Sequence, residues 1–172
     1  MNHQRGFTLL ETIVALFVLA VALSGSISAL LVNSFTSNQI RNGLIANNLT
    51  QEGLEIVRNL RDSGWYTSND PSAFGVYLPA GDWIMQWDTQ PDPPPQTFIP
   101  PQFTGQKLRL QPSGIYSYDA GGIETPFTRK ITMRRIPAAG TPTEIIANVD
   151  VSWSDRGAGH SVNGELHLYN WY

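Results

Sequence analysis

Glu11 is the residue whose chemistry most needs an explanation, because it is a carboxylate in an otherwise uncharged stretch that extends to about Phe35. Placing a carboxylate in hydrocarbon costs roughly 2.5 to 3.5 kcal/mol on insertion scales, so Glu11 requires a positive partner. The short cationic segment at positions 1–6 suggests where that partner comes from. A cut after Gly6 would create a new ammonium group on Phe7, four residues from Glu11.

These residues also form a recognisable family pattern. A short basic leader ends in Gly6, the sequence Phe7-Thr8-Leu9-Leu10-Glu11 follows, and an apolar helix comes next. On this pattern the chain resembles the type IV pilins, and every position matches. The resemblance implies that prepilin peptidase cuts after Gly6 and that the new amine of Phe7 is methylated. It also implies that Glu11 neutralises that amine in a neighbouring subunit during assembly.

The resemblance implies partners and a location as well. The partners are other pilin subunits, the prepilin peptidase/methyltransferase, a pilus assembly platform and the membrane. The precursor is expected to be a single-pass protein of the inner, cytoplasmic membrane with its head outside the cytoplasm. The mature subunit is then expected in an extracellular pilus or a periplasmic pseudopilus.

Three other interpretations of the apolar stretch compete with this one. A secretory signal peptide would use the small residues Ser26-Ile27-Ser28 before a cut at Ala29, but its apolar core is about 7 to 15 residues long and would not contain Glu11. A plain membrane anchor that keeps Met1 leaves Glu11 unexplained. A buried helix of a soluble protein would show a polar face, which this stretch lacks.

Composition limits what else the chain can be. Its 172 residues allow a membrane segment and one modest domain, and 41% hydrophobic with 15% charged residues is ordinary for a folded chain. The formal net charge of −3 argues against direct nucleic-acid binding, which needs clustered Lys and Arg. There is no cysteine, so packing must hold the head together. Many pilins close a C-terminal loop with a disulfide, and this chain departs from that pattern.

Beyond the apolar stretch, helical periodicity continues. Apolar residues recur at spacings of three, four and seven, which predicts one buried stripe made of Ile45, Leu49, Ile56, Val57 and Leu60. The basic residues Arg58 and Arg61 and the pair Ser63-Gly64 predict that the helix ends near Asp62. Three glycines lie inside this helix, each costing about 1 kcal/mol relative to Ala, and therefore need a reason: Gly25, Gly43 and Gly53.

The predicted organisation has four parts. Residues 1–6 form the leader, 7–35 a transmembrane and filament-core helix, 36–64 its amphipathic continuation, and 65–172 a globular head. In the head, 65–112 is expected to be a long loop region, because Pro91–Pro95 and the pair Pro100-Pro101 favour extended backbone. Trp83 and Trp87 lie in this region, where they either pin the loop to the core or form a binding surface.

The C-terminal third of the chain is predicted to form a β-sheet. Apolar and polar residues alternate around Ile131 and Met133, from Ile145 to Trp153, and at Leu166 and Leu168, which indicates three strands of an antiparallel meander. Turns are expected at 137–142 and at 155–160, between the strands. Residues 119–124 are also expected to form a turn; they contain two carboxylates, which is too few for a calcium-binding loop. The fold class is therefore α+β, with a long N-terminal helix packed under the meander. The C-terminal residues 166–171 and the helix residues 52–58 also resemble V-type minor pilins and I-type minor pseudopilins.

Nothing in the sequence favours an enzyme. His3 lies in the leader, and His160 and His167 fall in a turn and on an outward strand position. A triad of Asp155, His160 and a serine lacks a nucleophile elbow, and no zinc spacing is present. No catalytic residue, cofactor or metal is expected.

The sequence thus favours a minor type IV pilin-like structural subunit. The alternative within the class is a minor pseudopilin of a type II secretion system. The alternative from another class is a membrane-anchored adhesin or carbohydrate-binding domain that uses Trp83 and Trp87.

Overall fold

The computed structural model describes residues 8–68, 74–75, 78–89 and 100–170. The chain divides into two compact units, Met1–Asn42 and Gly43–Tyr172. The helix α1, Leu9–Ser68, begins in the first unit and ends in the second. The rest of the second unit is built on an antiparallel sheet, which confirms the α+β fold class.

Helix α1 ends at Ser68, six residues beyond the predicted end near Asp62. The residues that were expected to end the helix make other interactions. Arg58 pairs with Glu55, and Arg61 Nε donates to Asp62 Oδ1 at 2.7 Å, so these cations interact with neighbouring side chains. Gly64 is a buried helical residue, and tertiary packing overrides its weak helix propensity.

The described residues form six strands. They are β1 Gly81–Trp83, β2 Lys107–Leu110, β3 Tyr116–Ser117, β4 Ile123–Ile136, β5 Glu144–Asp155 and β6 Ala158–Tyr169. The sheet order is β3-β2-β4-β5-β6, and β1 pairs with β4 beside this path. The three predicted C-terminal strands are confirmed as β4, β5 and β6, all of them longer than expected.

Strands β1 and β2 correct the prediction of a long loop region over 65–112. β1 pairs with Ile131–Met133 of β4, and β2 pairs with an earlier part of the same strand. Because β5 occupies the other edge of β4, both short strands share one edge. They are three and four residues long, and it is this pairing that stabilises them. The predicted proline run Pro91–Pro95 lies outside the described residues.

The turn between β5 and β6 explains the register of this hairpin. Arg156 and Gly157 both have positive φ, 50° and 81°, the conformation of a two-residue turn whose twist matches that of the flanking strands. Asp155 therefore pairs with Ala158, and the ladder runs in register to Glu144 and Tyr169. The predicted hairpin at 155–160 is confirmed.

The core of the second unit lies between α1 and one face of the sheet. From the helix it takes Ala46, Leu49, Ile56, Val57 and Leu60, and from the sheet chiefly Phe127, Ile131, Met133, Ile145, Ala147, Val149, Val151, Trp153 and Leu168. The predicted helix stripe is confirmed, with Ile45 only partly buried. The inward residues of β5 recur at every second position, as a half-buried strand requires.

Gly53 allows α1 and β5 to approach closely. A Cβ at this position would lie 2.8 Å from Val149 Cγ1. Gly164 does the same on β6, where a Cβ would lie 2.8 Å from Thr50 Cγ2 of the helix. Gly53 therefore has the packing reason that its cost in helix propensity demands, whereas Gly25 and Gly43 face open space.

Candidate functional site

The first turn of α1 places Glu11 at a capped helix start. The backbone N–H of Glu11 donates to Thr8 Oγ1 at 3.3 Å, and the N–H of Thr12 donates to the carbonyl of Thr8 at 3.2 Å. Thr8 is thus the N-cap, and Glu11 occupies the third helical position, where a carboxylate is favoured by the positive end of the helix dipole. The Glu11 side chain is exposed. Gly6 and Phe7 lie outside the described residues.

The helix that follows has a surface suited to a membrane. By length and composition α1 is apolar enough to cross one, and none of its most apolar window is buried within the chain. Large side chains such as Leu9, at 78% exposure, and Phe17, at 70%, contact nothing that would exclude water. A sheet or second helix would normally cover such a surface in a soluble protein.

Hydroxyl groups inside this stretch are satisfied locally. Ser24 Oγ donates to the carbonyl of Val21 at 2.8 Å, and Ser26 and Ser28 bond the carbonyls four residues before them, each at 3.0 Å. Because hydrocarbon supplies no hydrogen bonds, such back-bonding lets serine lie in a membrane helix. The serines around Gly25 are therefore compatible with a span.

Comparison with known proteins agrees with this geometry. Residues 1–27 match the family model described as the prokaryotic N-terminal methylation motif. No curated protein and no solved structure matches the chain. The motif, together with the apolar N-terminal helix and the antiparallel sheet, supports a type IV pilin-like or pseudopilin-like precursor. The motif implies processing by prepilin peptidase and assembly with other pilins.

An arginine that the sequence analysis missed lies in the core of the head. Arg129 is fully buried, and its guanidinium donates to the carbonyl of Met85 at 2.7 Å and to that of Leu49 at 3.3 Å. It also lies 3.2 Å from the carboxylate of Glu52, which is 33% exposed. Burying an unpaired guanidinium would be very costly, so these contacts are what allow Arg129 to remain inside. We call the group Arg129, Glu52 and Tyr118 the arginine anchor.

Tyr118 completes the arginine anchor. Its hydroxyl donates to the backbone carbonyl of Arg129 at 2.8 Å. Burial raises the pKa of the Tyr118 hydroxyl, against the opposing effect of the Arg129 charge, so this tyrosine stays protonated and remains a donor. The anchor thus joins α1, the segment at Met85 and strand β4. The alternation of Phe127, Arg129 and Ile131 on one face of β4 is the sequence signal that could have identified Arg129 as an inward residue.

The two candidate tryptophans have different environments. Trp83 is partly buried against the core, and its indole N–H donates to the carbonyl of Pro79 at 2.8 Å. Trp83 therefore pins its segment to the core. Trp87 is 60% exposed at a turn in which Thr89 N–H donates to the Gln86 carbonyl at 2.9 Å. Of the two, Trp87 alone is presented as a surface residue.

The remaining predicted polar groups do not converge on a reactive centre. His160 lies in β6 and stacks on Trp153, with ring centroids 5.3 Å apart. Within the turn predicted at 119–124, Glu124 already belongs to β4, and Lys107 holds the pKa of its carboxyl below the ordinary value. Among the described residues no group of three His, Cys, Asp or Glu side chains could hold a metal ion.

His167 lies on the outer face of the sheet, as predicted from its strand position. Its Nδ1 is 2.5 Å from Glu144 Oε1, and its Nε2 is 3.0 Å from Glu165 Oε1. The ring of Tyr169 stacks beside it at 6.3 Å between centroids. The pKa of His167 is raised by its hydrogen bond to Glu144 and, secondarily, by that to Glu165.

Proposed function

We propose that this protein is a minor subunit of a type IV pilus, inserted in the membrane as a precursor and then built into the filament through α1. In this proposal the chain is cut between Gly6 and Phe7, the Phe7 amine is methylated, and Glu11 pairs with that amine in a neighbouring subunit. The head carries no catalytic role. The partners are other pilins, the prepilin peptidase/methyltransferase and the assembly platform.

The observation that carries this proposal is an uncovered apolar helix with a carboxylate in its first turn, inside the methylation motif. The apolar side chains of this helix are exposed over residues 9–30, and Glu11 is exposed with them. A lipid bilayer or a bundle of like helices can cover such a surface. A cationic group would neutralise the carboxylate there, and the Phe7 amine created by processing is four residues away.

Intact mass spectrometry of the membrane-extracted protein tests this proposal. We expect the mature chain to begin at N-methyl-Phe7. A Gly6→Leu variant is the matched control, because a bulky residue in front of the cut should leave the uncut, unmethylated precursor. A wild-type chain that keeps Met1, or one that begins at Ala29, would exclude a processed pilin.

The alternative within the class is a minor pseudopilin of a type II secretion system. Electron microscopy with antibody labelling of this subunit separates the two, because a pilus subunit should label long surface fibres and a pseudopilin should not. The alternative of a membrane-anchored adhesin is favoured only by the exposure of Trp87, since Trp83 packs on the core. Retention of Met1 in the mass spectrum would support that alternative.

A further inference from the structure

The C-terminal end of strand β6 carries a three-residue ion cluster that the pilin class does not explain. β6 is the edge strand of the sheet, so β5 is its one ladder partner in the described chain. Glu144 lies at the start of β5, and Glu165 and His167 lie near the end of β6. The cluster therefore bridges the last rungs of the β5–β6 ladder on the solvent face.

The geometry of the cluster suits a doubly protonated ring. Both ring nitrogens of His167 face a carboxylate oxygen, at 2.5 Å on the Glu144 side and 3.0 Å on the Glu165 side. A neutral imidazole has one N–H donor, so it can satisfy one of these carboxylates but not both. The imidazolium has two donors and a charge that offsets both neighbours. Loss of one proton would break one contact and leave two anions beside an uncharged ring.

We propose that protonated His167 is a latch that fastens the C-terminal end of β6 to β5 and releases it as the pH rises. Other attachments at this end include the ladder itself, the burial of Leu168, the side-chain hydrogen bond of Tyr169 to Glu144 and the bond from Asn170 N–H to the Thr143 carbonyl, 3.0 Å long. Because an edge strand has a neighbour on one side only, its end opens more readily than a central strand. The latch thus acts at the end of an edge strand.

The charged groups around His167 set the pH range of the latch. Glu144 on β5 and Glu165 on β6 raise the pKa of His167, while the pKa of Glu144 is lowered, first by His167 and further by Tyr169 and by Arg134 of β4. Glu144 also raises the pKa of Tyr169, which therefore stays neutral. A raised histidine pKa gives stabilisation that is complete below the unfolded value, about 6.5, and is lost as pH rises through the folded value. A lowered carboxyl pKa gives stabilisation that is lost as pH falls through that value.

Hydrogen–deuterium exchange of the full-length protein in detergent micelles, between pH 5.5 and 8.5, tests the latch. Protection factors corrected for the intrinsic pH dependence of exchange should fall about two- to fivefold over residues 164–170 as pH rises, the range expected for an exposed ion pair. Residues 158–162, at the turn end of the same strand, should show no such fall.

The variants identify the group responsible. His167→Gln should show the low protection of residues 164–170 at every pH, and the double variant Glu144→Gln/Glu165→Gln should remove the pH dependence. His160→Gln is the matched control, because His160 is on the same strand but stacks on Trp153, and it should keep the wild-type profile. Constant wild-type protection across this pH range, or a profile abolished by His160→Gln and not by His167→Gln, would overturn the proposal.

Discussion

The two parts of helix α1 differ in how their apolar residues are covered. Over residues 9–30 and 32–44 the large apolar side chains are exposed, whereas Leu49, Val57 and Leu60 are almost fully buried under the sheet. Glycines follow the same division, because Gly25 faces open space and Gly53 touches Val149. One continuous helix therefore serves two environments. The apolar residues of the second part are covered by the sheet of the same chain. Those of the first part need a membrane or other subunits to cover them.

The largest expected effect is the loss of filament assembly when the charge of Glu11, in the uncovered part of α1, is removed. Glu11→Ala should still be cleaved but should be almost absent from filaments, because the Phe7 amine then lacks a counter-charge. Removing one partner of a buried ion pair costs about 3 to 5 kcal/mol, a loss of more than about a hundredfold in incorporation. Immunoblots of sheared filaments against the membrane fraction measure this.

Glu11→Gln separates pairing from capping. Glutamine can still serve at the third position of a capped helix, but it carries no charge. We expect Glu11→Gln to fail in assembly as Glu11→Ala does. Normal incorporation of the glutamine variant would show that helix capping is the role of this position.

The next largest effect is expected at the arginine anchor of the covered part. Arg129→Ala should destabilise a soluble fragment that begins at Asn38 by about 3 to 5 kcal/mol, because it removes the charge partner of Glu52 and the side-chain donor to the Met85 carbonyl and leaves a cavity in the core. Urea denaturation followed by circular dichroism measures the change. The double variant Arg129→Met/Glu52→Leu should lose much less stability, since apolar residues of similar volume often replace a buried ion pair at little cost. Equal losses of stability in the single and the double variant would contradict the prediction that the unpaired charge of Glu52 causes the larger loss.

The smallest effect comes from a pair of glycines on the same helix. Gly43→Ala should raise the stability of this fragment by about 1 kcal/mol through helix propensity alone. Gly53→Ala gains the same term but forces Cβ to 2.8 Å from Val149 Cγ1, and such overpacking typically costs about 1 to 3 kcal/mol. We therefore expect the two substitutions to differ, with Gly53→Ala lowering the free energy of unfolding by up to about 2 kcal/mol. Thermal melts of both variants measure this difference. Equal stabilisation by both would contradict the close helix–sheet approach.

Sequence patterns predicted those elements whose signal is local. The helix stripe through Leu49, Ile56 and Leu60 follows from a period of 3.6, and β5 follows from strict alternation between Ile145 and Trp153. The strands β1 and β2 were missed because their stability comes from pairing with β4, which is not adjacent to them in the sequence. The end of α1 was placed too early, since packing outweighed the capping signals.

The candidate site divides in the same way. Glu11 was found because a charge in an apolar run stands out, and the structure adds its helix cap. Arg129 was missed because a charged residue in a strand is normally exposed, although its inward alternation with Phe127 and Ile131 marked it as buried. The ion cluster at His167 depends on the register of β5 and β6, which brings residues 144 and 167 together. A single sequence carries no direct signal for that register.

The arginine anchor also bears on how the head reaches its native state. Its hydrogen bonds join Arg129 to residues 80 and 44 positions away along the chain, so no partial structure built from neighbouring segments can satisfy it. Until α1, the Met85 segment and β4 are all in place, the guanidinium keeps its water, and the sheet cannot close over it without a large penalty. We therefore expect the head to form in one concerted step. A subunit waiting in the membrane would then carry either a finished head or an unfolded one, with few half-formed heads exposed to proteases.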